Sequence, residues 1–270
     1  MDTQTLSALR AELLRHGRVA VAFSAGVDST LLLKVAHDAL GERAFALTAR
    51  SCLFPEEETA AAEDFCRREG IEQIIVPHDP FGIDGFVENP PDRCYRCKRA
   101  LFARFAELAA QRGAVLVEGS NLDDEGDYRP GLRAVAELGV ASQLRAAGLR
   151  KADVRALARA LGLTVWDKPS FACLASRFTH GETLTAQRLA AVAEAERRLA
   201  ALGFAQYRVR VHGDLARIEV LPRELPRLVA HAAALHDALR ALGFRFVTLD
   251  LGGYRSGSMN PVRDDNARRT

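Results

Sequence analysis

The sequence predicts a doubly wound parallel α/β sheet followed by a smaller α+β unit, and three observations carry that prediction. Short apolar runs alternate with amphipathic segments of helical period through the first two thirds of the chain, the signature of repeated βα units. The apolar run 19–23 leads directly into Ser24-Ala25-Gly26-Val27-Asp28-Ser29-Thr30, and the helix-forming run 31–36 follows at once. From Thr185 onward the pattern changes to helix, two alternating strands, helix and strand, an αββαβ unit.

Each element has its own warrant. Leu6, Leu9, Leu13 and Leu14 mark an opening amphipathic helix. Strands follow near 18–23, 44–49, 72–77 and 114–119, with helices near 29–40, 56–69 and 98–112 between them. Pro55 followed by Glu56-Glu57-Glu58 signals a helix start, and Gly70 its stop. A further helix is expected over 151–161, after which 164–177 reads as irregular. Thr185 caps a helix to about 202, and Tyr207-Arg208-Val209-Arg210-Val211 alternates as a strand. His212-Gly213-Asp214 turns it into a second strand at 216–221; a helix over 222–242 and a strand at 244–251 complete the unit. The expected domains are therefore 1–183 and 184–270, with no internal repeat and a polar tail after Pro261.

Composition narrows the function classes. The chain has 270 residues, 48% of them hydrophobic, enough for one ordinary α/β domain and a smaller unit. A net charge of +2 with interspersed signs offers no basic stripe, so no nucleic-acid partner is expected. No apolar run approaches a membrane span, and the chain opens without a signal peptide. Five cysteines, an odd number without an export signal, suit a reducing cytoplasm. Only four lysines (Lys34, Lys98, Lys151, Lys168) stand among 33 arginines, and two of them, Lys98 and Lys168, lie in motifs.

The turn at 24–30 carries the clearest chemistry. A strand-to-helix turn aims unpaired N–H groups and the positive end of a helix at one point, where an anion can sit. Gly26 permits close backbone approach, Ser24, Ser29 and Thr30 add hydroxyls, and Asp28 could hold magnesium. The Gly-Lys-Ser/Thr ending of a Walker A loop is missing. The loop resembles instead the SGGxDS loop of the PP-loop ATP pyrophosphatases, which grip the β,γ-pyrophosphate and leave the α-phosphorus open to attack. The alternative is a plain tight turn. Ala25 stands where that family usually has glycine, which calls for an L-residue backbone geometry there.

Three other stretches attract notice. In Pro90-Pro91-Asp92-Arg93-Cys94-Tyr95-Arg96-Cys97-Lys98 the prolines argue against a helix across the start, and Cys94 and Cys97 are spaced to share a metal or cluster. Cys173 is a possible third thiolate; three suit a site-differentiated 4Fe–4S cluster better than four-ligand structural zinc. A dithiol redox pair or buried structural cysteines remain alternatives, and Cys66 reads as a core residue. The acidic run 118–131, with Gly119, Asn121, Asp124 and Arg129, follows a strand end and suggests a metal or ligand site, or else a solvated face. Arg208 and Arg210 project from one strand face, as a phosphate or carboxylate clamp or an ordinary exposed face.

Taken together, the 24–30 loop, PPDRCxxCK, SNLDDxxDYRPG, WDKPxxxCLASR at 166–177, RVRVHGDLARIEV at 208–220 and GGYRSGSMN at 252–260 resemble the LarE family of ATP-dependent sulfur transferases. The resemblance covers essentially the whole chain. It implies that a pyridinium biscarboxylate mononucleotide is adenylated at a carboxylate and then receives sulfur, on the way to the nickel-pincer nucleotide cofactor. It further implies ATP and Mg2+, with Ser24 to Thr30 on pyrophosphate, Asp28 at the metal, Arg50 and Ser51 near adenine, and Lys98 near the reacting carboxylate. Ser176, Arg177, Arg208 and Arg210 would contact the substrate phosphate. The family's two sulfur sources are a sacrificial cysteine, aligned with Cys173, and a 4Fe–4S cluster on three cysteines; Cys94, Cys97 and Cys173 point to the cluster branch. A homo-oligomer, hexameric or built from trimers, is implied as well. Rival readings are a PP-loop tRNA thiolation enzyme, an ammonia-using PP-loop ligase and a non-catalytic nucleotide-binding regulator.

Overall fold

The structure, a computed structural model, describes residues 3–126, 130–255 and 257–259. By its internal contacts it divides into two units, Met1–Ala172 and Cys173–Thr270. The division falls before the expected 183, because the turn Leu174–Arg177 and the bridge between Phe178 and Val211 tie the intervening segment to the second unit.

In the first unit five parallel strands run in the order β3-β2-β1-β4-β5: β1 Val19–Ala22, β2 Ala44–Arg50, β3 Gln73–Pro77, β4 Val115–Glu118 and β5 Ala141–Ser142. The helices are α1 Thr3–Arg15, α2 Val27–Leu40, α3 Glu56–Glu69, α4 Arg93–Gln111, α5 Pro130–Glu137, α6 Gln143–Ala146 and α7 Lys151–Ala160. Alternate strand residues face opposite ways, and the core splits accordingly. Val19, Val21, Ala44 and Ala46 pack with Leu9, Leu31, Phe65 and Val154 of α1, α2, α3 and α7. Ala20, Phe45 and Leu47 pack with Leu101, Phe102, Phe105 and Val135 of α4 and α5. Helices thus cover both faces, which is why the strands read as unbroken apolar runs. Gly70 ends α3 in the left-handed conformation, φ 67°, with its N–H on the Cys66 carbonyl.

Two expectations need correction here. Helix α4 begins at Arg93, not near 98, so Cys94, Cys97 and Lys98 lie on its first turns. Pro90 and Pro91 stop the helix only upstream of Arg93, whose N–H closes a turn on the Pro90 carbonyl. The short elements β5 and α6 were not anticipated, being two and four residues long and too brief to show a period.

The second unit holds α8 Ala186–Ala201, β6 Tyr207–His212, β7 Leu215–Val220, α9 Leu225–Ala230, α10 Ala232–Ala241 and β8 Phe246–Leu249. Strand β7 pairs antiparallel with β6 and parallel with β8. Thr185 caps α8, accepting from the Arg188 N–H at 3.2 Å. The single helix expected over 222–242 is a 3-10 turn plus α9 and α10, interrupted at His231. Pro226, within the first turn of α9, restarts the helix; nothing in the structure explains the break at His231. Among the described residues no helix is long and apolar enough to cross a membrane.

Candidate functional site

The chain reverses direction across the sheet between β1 and β4, and at such a switch point the loops at the strands' carboxyl ends open a crevice. The β1–α2 loop lies there. Ala25 is buried with φ 54°, a left-handed backbone that L-residues avoid, contrary to the expected L-residue geometry. Gly26 caps α2 without any side-chain cap bond, so the first N–H groups of the helix keep their donor capacity for an anion. The hydroxyls behave less simply than expected. Ser29 Oγ accepts from the Ser24 N–H at 3.2 Å and shares a 3.1 Å hydrogen bond with Ser24 Oγ. Thr30 Oγ1 is buried with no hydrogen-bond partner. The Ser24–Ser29 pair therefore braces the loop, and the donors left facing an anion are chiefly backbone ones.

The β4 loop packs directly against this turn. A Cβ on Gly119 would sit 3.1 Å from Ser29 N and 3.2 Å from the Asp28 carbonyl carbon, so the backbone would have to give by a few tenths of an ångström to admit it. Glycine at 119 is what lets the two loops touch. Asn121 Nδ2 then donates to Asp28 Oδ1 at 3.1 Å, while Asn121 Oδ1 accepts the Asp123 N–H at 3.0 Å. The described acids of this run build the loop. Glu118 accepts from the N–H and hydroxyl of Ser120 and from the Ser142 hydroxyl, and Asp124 Oδ2 accepts the Asn121 N–H at 2.9 Å. Asp123 accepts from Arg150 and from the Lys151 N–H, bonds that hold its carboxyl below the usual range. Arg129 lies outside the described residues.

Two lysines converge on the turn. Lys151, the first residue of α7, donates to Asp28 Oδ2. Lys168 Nζ donates to the Ala25 carbonyl at 3.2 Å and to Glu58 at 2.7 Å. Lys34 instead pairs with Asp38 and Glu69 on the helical surface. Arg50 and Ser51 sit at the carboxyl end of β2, beside β1; Arg50 pairs with Glu63 of α3 and Ser51 Oγ accepts the Leu53 N–H at 3.4 Å.

Cys94 and Cys97, three apart on α4, share a helix face. His78, directly after β3, places Nε2 3.3 Å from Cys97 Sγ. Burial lowers the His78 pKa, partly opposed by Asp79. Two strand steps separate the ends of β3 and β1, roughly 10 Å across the sheet edge. Lys98 Nζ lies 5.7 Å from the Phe102 ring centroid, and a Cβ on Gly131 would collide with Lys98 Cδ at 2.6 Å and approach Cys94 Sγ at 3.1 Å. Burial pushes the Cys66 thiol up to about 12, in keeping with a core residue.

In the second unit Cys173 precedes the Leu174–Arg177 turn and its carbonyl accepts from the Ser176 N–H at 2.9 Å and from Arg177 at 3.3 Å. The arginines are not an exposed strand face. Arg177 is fully buried and forks onto Glu196 at 2.8 and 2.9 Å. Arg210 is buried, bonding Glu219 at 3.0 Å, the Ser176 carbonyl at 3.2 Å and Ser258 Oγ at 3.2 Å. Arg208 lies 5.2 Å from the Tyr254 ring centroid. Burial lowers the pKa of both Arg208 and Arg210. Arg217 also reaches Glu219, at 3.2 Å, and Asp250, at 3.5 Å. Among the described residues, the guanidiniums of Arg177, Arg208, Arg210 and Arg217 gather around Glu196, Glu219 and Asp250. Such a cluster fits an anion such as a phosphate. Within either unit the described residues contain no group of three or more His, Cys, Asp or Glu arranged to hold a metal ion; Cys94 and Cys97 belong to the first unit and Cys173 to the second.

No family model matches the chain. It is 44% identical, over 90% of its own length and 89% of the other's, to a protein of Lactiplantibacillus plantarum named pyridinium-3,5-bisthiocarboxylic acid mononucleotide synthase. The chain belongs to the LarE family of enzymes. An uncharacterised Synechocystis protein is 41% identical over 91% of this chain, and one from Methanocaldococcus jannaschii 26% identical over 91%.

For this LarE-family chain, sequence reasoning missed Lys151, Glu196, Glu219 and His78. Glu196 left a readable trace: it occupies a core position among Leu189, Val192 and Leu199 of α8, where an apolar residue is expected. Lys151 and His78 left none, since their partners lie far away in the sequence.

Proposed function

We propose that this chain uses ATP to adenylate a carboxylate of pyridinium-3,5-biscarboxylic acid mononucleotide and replaces the adenylate with sulfur, giving a thiocarboxylate; two rounds give the bisthiocarboxylate. The observation that carries the reading is the uncapped start of α2 above a left-handed Ala25, joined to Asp28 and flanked by Lys151 and Lys168. Backbone N–H groups at that start would hold the pyrophosphate portion of ATP, and the two ammoniums would add charge for the leaving group. A carboxylate oxygen of the substrate attacks the α-phosphorus, the bond to the bridging oxygen breaks, and pyrophosphate leaves. A sulfur nucleophile then attacks the acyl carbon and AMP leaves. Asp28, one carboxylate beside a phosphate cradle, is a donor set that suits magnesium, which when bound screens the phosphate charge. Arg208 and Arg210, with Ser176 and Arg177 behind them, would hold the substrate phosphate.

Cys94, Cys97 and Cys173 carry soft sulfur donors of the kind that suits a 4Fe–4S cluster. When bound, such a cluster supplies sulfur from external sulfide, so that all three residues remain cysteine. The same reading includes a cytoplasmic homo-oligomer, hexameric or trimer-based, which sedimentation checks. The decisive test follows the products. AMP and pyrophosphate are expected, and Asp28→Ala should abolish their formation; ADP and phosphate instead would overturn the adenylation reading. Anaerobically prepared protein should contain iron and sulfide, and Cys94→Ala, Cys97→Ala or Cys173→Ala should lose both while sparing adenylation. Iron-free protein that loses roughly 34 Da at Cys173 per turnover, the mass of hydrogen sulfide, would point to the sacrificial route through a Cys173 thiolate.

A further inference from the structure

We propose that Lys151 is a positioning residue whose ammonium stands in for the metal beside Asp28 before nucleotide binds, so that a divalent cation enters only together with ATP. This rests on the reading of the 24–30 loop as a nucleotide site. Both oxygens of the Asp28 carboxylate already have a donor: Lys151 Nζ on Oδ2 and Asn121 Nδ2 on Oδ1, the latter at 3.1 Å. The Lys151 and Asp28 side chains are 28% and 24% exposed, so their attraction is less screened than that of a surface pair. A cation arriving alone would meet the ammonium within a few ångströms, and among the described residues no group of three or more acidic, His or Cys side chains stands ready to hold it in the ammonium's place.

The surroundings let the ammonium move while the backbone stays. The Lys151 N–H donates to Asp123 Oδ2 at 2.9 Å and Arg150 to Asp123 Oδ1 at 2.9 Å. The Leu122 N–H donates to the Leu149 carbonyl at 2.9 Å. The start of α7 is thereby laced to the loop that carries Asn121, and the flexible stem of Lys151 alone can swing. Lys168 differs. Its charge is matched by Glu58 at 2.7 Å, and it bonds the Ala25 carbonyl rather than the Asp28 carboxylate. ATP brings more negative charge than the metal brings positive charge. In the ternary complex Lys151 therefore transfers to phosphate oxygens and Asp28 passes to the cation. Metal and nucleotide become coupled ligands through one side chain.

The test uses the full chain, Mn2+ as a paramagnetic probe and α,β-methylene ATP, which cannot be split between the α- and β-phosphates. Wild type should bind Mn2+ weakly alone and much more tightly with the analogue. Lys151→Met should tighten binding of Mn2+ alone by roughly tenfold or more, because a like charge beside the site is removed. The same change should weaken the analogue, so the coupling shrinks. Lys151→Arg should keep the wild-type order. Asp28→Asn in the Lys151→Met background should erase the gained metal binding. An unchanged affinity for Mn2+ alone in Lys151→Met overturns the proposal, while leaving the nucleotide-site reading intact if the analogue still binds. Wild type that fails to bind metal and analogue together overturns both. Should the Met variant not fold, Lys151→Gln is read by the same criteria.

Discussion

A methyl group at a left-handed backbone position sets the behaviour of Ala25. The conformation costs an L-residue about 1–2 kcal/mol. Glycine would remove that strain, but it loses about 0.5–1 kcal/mol to chain entropy and about 0.8 kcal/mol from the buried methyl. Ala25→Gly should therefore change stability by less than about 1 kcal/mol in urea unfolding, since these terms nearly cancel. Ala25→Val should destabilise by about 2–4 kcal/mol, because a branched side chain is crowded at φ 54° in a site already buried. A neutral Ala25→Val would mean that the loop relaxes out of the left-handed conformation. The tolerance of glycine and rejection of valine is the stability signature of a turn shaped for its backbone N–H groups.

At the scale of elements, the layer formed by α8, β6 and β7 is organised around buried charge. Glu196 on α8 accepts both from Arg177 and from the Val209 N–H, at 3.0 Å, so one carboxylate joins helix, strand and turn. Arg177→Met should destabilise by about 3–5 kcal/mol, because buried Glu196 loses both guanidinium hydrogen bonds and keeps only the more distant charges of Arg208 and Arg210. Combining it with Glu196→Leu should recover much of that loss, though not all, since the Val209 N–H then lacks an acceptor. Thermal and urea unfolding of the two single variants and the double variant measure the coupling. Additive losses would show that the pair is not a unit. Arg210→Ala would similarly strand Glu219, fully buried, with Arg217 as its remaining cation. Weakened substrate binding in that variant has to be read beside its stability.

For the molecule as a whole, acid is expected to act through two half-buried histidines, His78, whose pKa burial lowers, and His212. Burial, aided by the positive charge of Arg217, lowers the pKa of His212 from the ordinary value of 6.5. The unfolded chain then takes up a proton before the folded one does, so stability is complete above 6.5 and declines as pH falls below it. His212→Gln should reduce that decline, leaving the His78 part, in unfolding curves measured just below pH 6.5. A wild-type profile level through this window would show that His212 titrates alike in both states. The neutral ring meets Thr179, whose Oγ1 also donates to the Val211 carbonyl at 3.1 Å.

The alternation of strands and helices, the start of α3 after Pro55, its end at Gly70 and the Thr185 cap were all determined by local sequence. Each depends on neighbours within a turn or on a run of apolar residues, and buried parallel strands need both faces apolar. The 24–30 loop was legible for the same reason, since strand, turn and helix are contiguous. Only the tertiary structure decided that Lys151 reaches Asp28 across 123 positions, that Glu196 and Glu219 neutralise buried arginines, and that His78 meets Cys97. The left-handed Ala25 was hidden as well, since an alanine in a sequence carries no sign of a positive φ. Charge partners of this kind follow from the order of strands in the sheet and from which carboxylates are cut off from water. A linear pattern of residue types carries neither.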